Sequence, residues 1–133
     1  MSGLPVTRVG TILAVSDVAR SVAFYSAHLG FRVEASYDDP PYTTLVRDGV
    51  RLSLAEQGHA SVDRPGITLA VPADRGQQSV VLVLEVADGQ SAYDALSSAG
   101  VTFLAAPYAP PWGGLRFFAV DPDGYLVEIE QLA

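Results

Sequence analysis

The sequence predicts an α+β fold in which two βαβββ modules form a curved mixed sheet with a cleft. Two observations support this prediction. Residues 14–33 have a weaker echo in residues 85–103, and each stretch reads strand, Asp, helix, Gly, strand. Each helical stretch has one apolar strand-like run before it and three after it. The order βαβββ therefore occurs twice, about 70 to 75 positions apart.

Each module is predicted to hold one helix, which is marked at both ends. Asp17 and Asp88 stand at the N-cap position, where a carboxylate accepts hydrogen bonds from the free amides of the first turn. Gly30 and Gly100 stand where a left-handed C-terminal cap falls. Apolar residues follow one face of each predicted helix. They are Val18, Val22, Tyr25 and Leu29 in the first, and more weakly Ala92, Ala95, Leu96 and Ala99 in the second.

The predicted strands flank these helices. In the first module they cover 9–15, 31–37, 42–47 and 50–56, with an Asp48-Gly49 hairpin turn between the last two. In the second they cover 79–86, 101–105, 115–120 and 125–131, with a turn at residues 121–124. The chain is thus one domain, with module one at about 8–56, a connector at 57–78 and module two at about 79–131. An additional strand over 66–71 fits the connector.

Alternation of side chains along the strands assigns the two sheet faces. In the last strand Val127 and Ile129 share the face under the helix, and Glu128 lies on the other face. Pairing across the 121–124 turn predicts Phe117 beside Glu128. In the first module the comparable face carries Tyr42, Thr44 and Ser53, with Leu45, Leu52 and Leu54 behind it. Two such curved sheets would line a concave surface, where ligand pockets form.

Composition excludes several classes of function. The chain has 133 residues and no cysteine, which excludes disulfides, thiol nucleophiles and Cys-ligated zinc. All its basic residues are Arg, as is common in GC-rich bacterial genomes, so Schiff-base lysine catalysis is excluded. A net charge of −7 opposes binding to nucleic acid or to anionic membranes. The N-terminus lacks the pattern of a signal peptide, and the longest apolar runs have strand length, so we expect a cytoplasmic protein.

Two stretches together carry a family resemblance. "ILAVSDVARSVAFYSAHLGFRV" followed by "PWGGLRFFAVDPDGYLVEIE" resembles the vicinal oxygen chelate superfamily, and the likeness covers nearly the whole chain. That superfamily includes glyoxalase I, extradiol dioxygenases, fosfomycin resistance enzymes and the metal-free bleomycin resistance proteins. The resemblance implies the fold and a homodimer, but it does not select one activity, because one scaffold hosts many functions.

In metal-using members four strand positions converge on a divalent ion. The resemblance places these positions at Gly10, Ser53, Val81 and Glu128, so that one of four candidate ligands is kept. A catalytic divalent ion needs about three protein ligands. We therefore expect no metal and no cofactor. His28, at the end of the first helix, and His59, in the connector, do not restore the site.

Glu128 has three interpretations. It is an ordinary half-exposed strand carboxylate, or an acceptor for an amine or hydroxyl group of a bound ligand. The third interpretation is a metal-free general base whose pKa is raised by apolar neighbours such as Phe117.

An aromatic segment, "APYAPPWGGLRFF" at 106–118, supplies the remaining candidates. Its prolines limit the freedom of the chain, and the resemblance implies that "PWG" borders a ligand groove. Aromatic faces flanked by carboxylates suit a flat, conjugated or cationic molecule. The predicted ligand-binding residues are Trp112, Tyr108, Phe117, Glu128, Tyr42, Tyr37, Ser53 and Pro111.

Alternatives compete at several of these positions. Trp112 could be a structural plug, Arg116 could face solvent, and Arg51 is a marginal alternative contact. Four phenylalanines are expected to fill the core instead, namely Phe24, Phe31, Phe103 and Phe118.

Three functions fit these patterns. The leading hypothesis is a metal-independent binding protein that sequesters an aromatic natural product or drug. The second is a lyase, isomerase or dioxygenase with a relocated metal, or with Glu128 as acid–base group. The third is a carrier of a biosynthetic intermediate.

Overall fold

The computed structural model describes residues 3–133. The chain divides into two compact units, Met1–Val71 and Pro72–Ala133, here called unit 1 and unit 2. Each unit holds one βαβββ module with its own four-stranded mixed sheet. The predicted α+β class and the two modules are confirmed. Among the described residues, no helix is long and apolar enough to cross a membrane.

Unit 1 consists of one helix packed on a four-stranded sheet. Its elements are β1 (Gly10–Val15), α1 (Val18–Ala27), β2 (Arg32–Asp38), β3 (Pro41–Arg47) and β4 (Val50–Glu56). The sheet order is β1-β4-β3-β2; β1 lies parallel to β4, and the other pairs are antiparallel. The helix packs on β3 and β4, where Leu45, Leu52 and Leu54 are fully buried as predicted.

Unit 2 repeats this topology. Its elements are β5 (Val81–Glu85), α2 (Gly89–Ser98), β6 (Thr102–Phe103), β7 (Leu115–Val120) and β8 (Leu126–Gln131), in the sheet order β5-β8-β7-β6. Strand β5 lies parallel to β8. Strand β6 is shorter than the predicted 101–105, although the Leu104 amide still donates to the Phe118 carbonyl at 3.1 Å.

Both predicted N-caps are confirmed. The Asp17 carboxylate accepts from the Arg20 amide at 3.1 Å, and that of Asp88 accepts from the Ser91 amide at 3.0 Å. The bonds from the Ser91 amide and hydroxyl hold the pKa of Asp88 below its usual value. Each helix ends in front of a glycine with positive φ, 72° at position 30 and 83° at position 100.

The predicted apolar face of α2 is partly wrong. Leu96 is buried, but Ala95 and Ala99 are exposed. Tyr93 fills the space instead, with ring centroids 4.6 Å from Phe103 and 5.2 Å from Phe117. A tyrosine ring buries far more area than a methyl group, and it therefore sets the rotation of this short helix.

The connector contains no further strand. Residues 66–71 have no strand pairing, and a single backbone bond links them to β4's end, from the Gly58 amide to the Leu69 carbonyl at 2.9 Å. The Gln57 side chain accepts from the Val71 amide at 3.1 Å. These two bonds, together with the bonds between Arg64 and Ile67, hold the segment without forming a strand pairing.

The predicted pairing of Phe117 with Glu128 is wrong by one residue. In the structure Phe117 pairs with Ile129, and Phe118 pairs with Glu128. The turn is one residue longer than predicted, because Val120 pairs with Leu126 and residues 121–125 form the loop. A shift of one residue moves every side chain to the other face. Phe117 is therefore 2% exposed and lies under α2, whereas Phe118 leaves the expected core position.

This register predicts unequal costs for two neighbouring substitutions. Phe117→Ala should lower the free energy of unfolding by about 3–5 kcal/mol, because it removes a fully buried ring. Phe118→Ala should cost clearly less, since Phe118 is half-buried. Urea titration followed by circular dichroism measures both. Equal losses would contradict the register.

Candidate functional site

The side of the unit 2 sheet opposite α2, here called the open face of unit 2, carries Glu128 near its middle. Glu128 lies beside Phe118 on β7 and Val83 on β5. Two residues farther along β8, Glu130 lies between Arg116 on β7 and Glu85 on β5. Val81 and Val83 are substantially exposed on this face, and Glu128 is half-buried. The open face of unit 2 thus combines uncovered apolar surface with a central carboxylate.

The aromatic loop, residues 107–114, is tied to one end of this face. Tyr108 and Arg116 exchange two backbone hydrogen bonds, of 2.8 and 3.0 Å. The Gly113 amide donates to the Pro110 carbonyl at 3.0 Å. Gly114 has a φ of 84°, and a Cβ there would collide with the Gln131 carbonyl oxygen. Glycine is required at this position because the loop runs directly over the end of β8.

Arg116 organises the two exposed aromatic residues of this loop. Its guanidinium carbon lies 5.5 Å from the ring centre of Tyr108 and 5.9 Å from that of Trp112. Both distances are in the range of cation–π attraction. Trp112 is nevertheless 71% exposed and Tyr108 is 50% exposed, and Pro111 beside them is exposed as well. The adjoining pocket measures only about 40 Å³. Trp112 is therefore not a plug, and its ring presents free surface.

The side of the unit 1 sheet opposite α1, the open face of unit 1, holds the other predicted residues. Tyr37 and Tyr42 are register partners with ring centres 6.4 Å apart. Thr44 and Ser53 are also partners, and their hydroxyl oxygens are 3.3 Å apart. Ser53 is only 1% exposed, so this hydroxyl pair holds the strands together inside the protein. The ligand role of Ser53 stays a prediction that its burial does not favour.

A groove of about 360 Å³ lies on the other side of the unit 1 sheet, between α1 and the β2–β3 hairpin. Val18, Val22 and Val33 form its apolar wall. The hydroxyls of Ser36 and Thr43, 2.9 Å apart, satisfy each other at its base. Of the predicted ligand residues it includes Tyr37 alone.

The positions that the resemblance assigns to metal ligands do not form a donor set. Gly10 is the register partner of Arg51, and a Cβ on Gly10 would lie 3.2 Å from the Arg51 Cβ. Ser53 is beside Ile12, and Glu128 is beside Val83. Among residues 3–133, no three His, Cys, Asp or Glu side chains are grouped so that they could hold a metal ion. The residues present do not fit a catalytic divalent ion.

The two histidines have local partners. His28 is the C-cap of α1, and its ring lies 5.4 Å from that of Phe24. His59 Nε2 lies 2.6 Å from a carboxylate oxygen of Glu56. Both residues are in unit 1, and neither belongs to a strand.

The structure brings Trp112, Tyr108 and Pro111 together in the aromatic loop and adds Arg116 to them, and the ligand-binding role of these residues stays a prediction. The off-by-one register put Phe117 on the open face and left Arg116 in solvent. Tyr125 was the signal that could have revealed the error, because an aromatic residue directly after Asp-Gly can be buried in a longer turn. It is 7% exposed in the structure.

Comparison with known proteins gives one family match and many structural matches. The model of the Glyoxalase/Bleomycin resistance protein/Dioxygenase superfamily matches residues 7–129. No curated protein matches the chain.

Three solved structures illustrate the range of proteins with this fold. A glyoxalase/bleomycin resistance protein/dioxygenase from Nocardioides has a TM-score of 0.76 at 21% identity, over 98% of this chain and 85% of that one. TnmS3, an antibiotic binding protein from Streptomyces sp. CB03234, has a TM-score of 0.72 at 20% identity, over 98% of this chain and 100% of that one. Lactoylglutathione lyase from Agrobacterium tumefaciens has a TM-score of 0.74 at 16% identity, over 96% of this chain and 94% of that one. At these identities the likeness concerns the fold alone.

The stacking of Arg116 on Trp112 can be tested with ionic quenchers, because Trp112 is the only tryptophan. A positive charge about 6 Å from the ring attracts iodide and repels caesium, by up to about threefold each at low ionic strength. Arg116→Gln should therefore lower the ratio of iodide to caesium quenching several-fold, by up to about ninefold at low ionic strength, because the two effects multiply. Arg20→Gln, which removes the same charge from exposed helix α1, should leave the ratio unchanged. An equal effect of both variants would disprove the stacking.

Proposed function

Because the chain belongs to the Glyoxalase/Bleomycin resistance protein/Dioxygenase superfamily, we propose that it binds and sequesters an aromatic small molecule without a metal ion. The ligand we have in mind is a natural-product antibiotic, and the role is resistance or self-protection. The observation that carries the proposal is the exposed Trp112 ring, which lies against the Arg116 guanidinium in a unit whose open sheet face carries uncovered apolar surface. A structural relative described as an antibiotic binding protein supports it.

The aromatic loop supplies affinity at low entropic cost. Its backbone is held by the Tyr108–Arg116 bridge and by the turn at Pro110–Gly113, so little freedom is lost when a ligand stacks on Trp112. An aromatic pair contributes about 0.5–1.5 kcal/mol beyond the area that it buries. Phe118, Val83 and Val81 add apolar surface on the same face.

Glu128 gives the site one oriented polar group. It is half-buried between Phe118 and Val83, where a carboxylate can accept a hydrogen bond from a hydroxyl or amine group of the ligand. One buried acceptor on an apolar face selects ligands with a matching donor, because an unmatched ligand leaves the carboxylate without a partner.

The proposal includes a homodimer that acts in the cytoplasm, with neither nucleic acid nor membrane as partner. Each sheet ends in unpaired edge strands, β1 and β2 in unit 1 and β5 and β6 in unit 2. Unpaired edges invite association with another chain. Light scattering of the purified protein measures the oligomeric state.

Binding should be visible in the fluorescence of Trp112. A panel of aromatic antibiotics is titrated while quenching is followed, and calorimetry and melting temperature are measured in parallel. Trp112→Ala should weaken the binding of an active compound about tenfold, as expected for an aromatic anchor. Tyr93→Phe, which keeps the ring under α2, is the matched control. No binding below about 100 μM, with no rise in melting temperature, would count against sequestration.

A second candidate is an enzyme of the same superfamily, either metal-dependent or based on Glu128. One structural relative is described as a lactoylglutathione lyase, and Glu128 is retained on the open face. Elemental analysis of protein purified without chelators distinguishes the metal-dependent form. Stoichiometric zinc, nickel, iron or manganese that is lost on Glu128→Ala would reverse the order of the two proposals.

A further inference from the structure

Arginines gather on the open face of unit 1 although the protein is acidic overall. Arg32 on β2 and Arg51 on β4 are both register partners of Val46 on β3, which lies between them. Gly10 on β1 is the register partner of Arg51 on its other side, so the four residues form one row across the sheet. Arg8 reaches the same region through its ion pair with Glu34. Three of the chain's eight basic residues therefore surround one carboxylate, in a protein with a net charge of −7.

The stem of Arg51 is held against the backbone of Gly10. A Cβ on Gly10 would lie 3.4 Å from the Arg51 Cδ, so the arginine stem runs across the bare backbone of Gly10. Arg51 is half-buried, and within residues 3–133 its buried Nε has no hydrogen-bond partner. A buried N–H group without an acceptor is costly, and it is satisfied when an acceptor arrives.

Glu34 does not neutralise this cluster. Both of its carboxylate oxygens are used by Arg8, at 3.1 and 3.2 Å. This bidentate bond, with smaller contributions from the charges of Arg51 and Arg32, holds the pKa of Glu34 below its usual value. Two positive charges remain in excess on this face.

We propose that Arg51, assisted by Arg32, forms an anion-binding site on the open face of unit 1 that receives the acidic group of an aromatic ligand. Carboxylate, sulfonate and phosphate groups are the anions that a guanidinium binds through charge-assisted hydrogen bonds. The inference rests on the proposed function for the aromatic part of the ligand and adds its charge.

Two dyes separate the acidic group from the aromatic rings. Anilinonaphthalene sulfonate carries a sulfonate, and N-phenylnaphthylamine has the same ring system without it. Fluorescence titration of the purified protein gives the affinity for each dye. Arg51→Gln should weaken binding of the sulfonate dye about tenfold, the loss expected for a charge-assisted hydrogen bond, and leave the neutral dye unchanged. Glu34→Gln should strengthen binding of the sulfonate dye, because it removes the competing internal anion.

The controls distinguish a specific site from general charge effects. Arg20→Gln removes the same charge from α1 and should change neither affinity, and Arg32→Gln repeats the test if Arg51→Gln melts early. The anion site would be disproved if Arg20→Gln and Arg51→Gln weakened binding of the sulfonate dye equally, or if Arg51→Gln left that binding unchanged. Neither result would contradict aromatic binding. If neither dye binds the unaltered protein, both the anion site and aromatic binding are refuted.

Discussion

The carboxylate of Asp121 determines which side chains of unit 2 face outward. It accepts hydrogen bonds from the amides of Asp123 and Tyr125, both at 2.9 Å, while the Asp121 amide donates to the Tyr125 carbonyl at 2.9 Å. Asp121 and Asp123 are both 4% exposed. Since these bonds enclose five residues, every pair between β7 and β8 takes its register from this loop. The position of Arg116 beside the aromatic loop follows from it.

The fold was predictable because its signals are local and repeated. Asp17 and Asp88 cap the two helices by bonds to residues three positions away, and strand alternation within β8 correctly separated Val127 and Ile129 from Glu128. The pairing of β7 with β8 was predicted wrongly. It depended on whether Tyr125 belongs to the turn or to the strand, a choice made by buried hydrogen bonds that alternation does not encode.

The candidate site was predictable only in part for the same reason. Trp112, Tyr108 and Pro111 lie within one proline-rich segment, so their proximity needed no knowledge of pairing. Arg116, by contrast, belongs to this group only after the register is known. On unit 1 the row of Arg32 and Arg51 depends on a β-bulge between Val33 and Ala35, which places two residues of β2 against one of β3. No feature of the sequence marks that bulge.

The missing side chain of Gly10 ties two positions of the chain to each other. Any Cβ at position 10 would lie 3.2 Å from both the Cβ and the carbonyl oxygen of Arg51, closer than side chains normally approach. A histidine introduced there would meet the arginine stem, and the guanidinium would repel an incoming cation. A side chain at position 10 therefore requires the Arg51 stem to give way, so substitutions at positions 10 and 51 are expected to depend on each other.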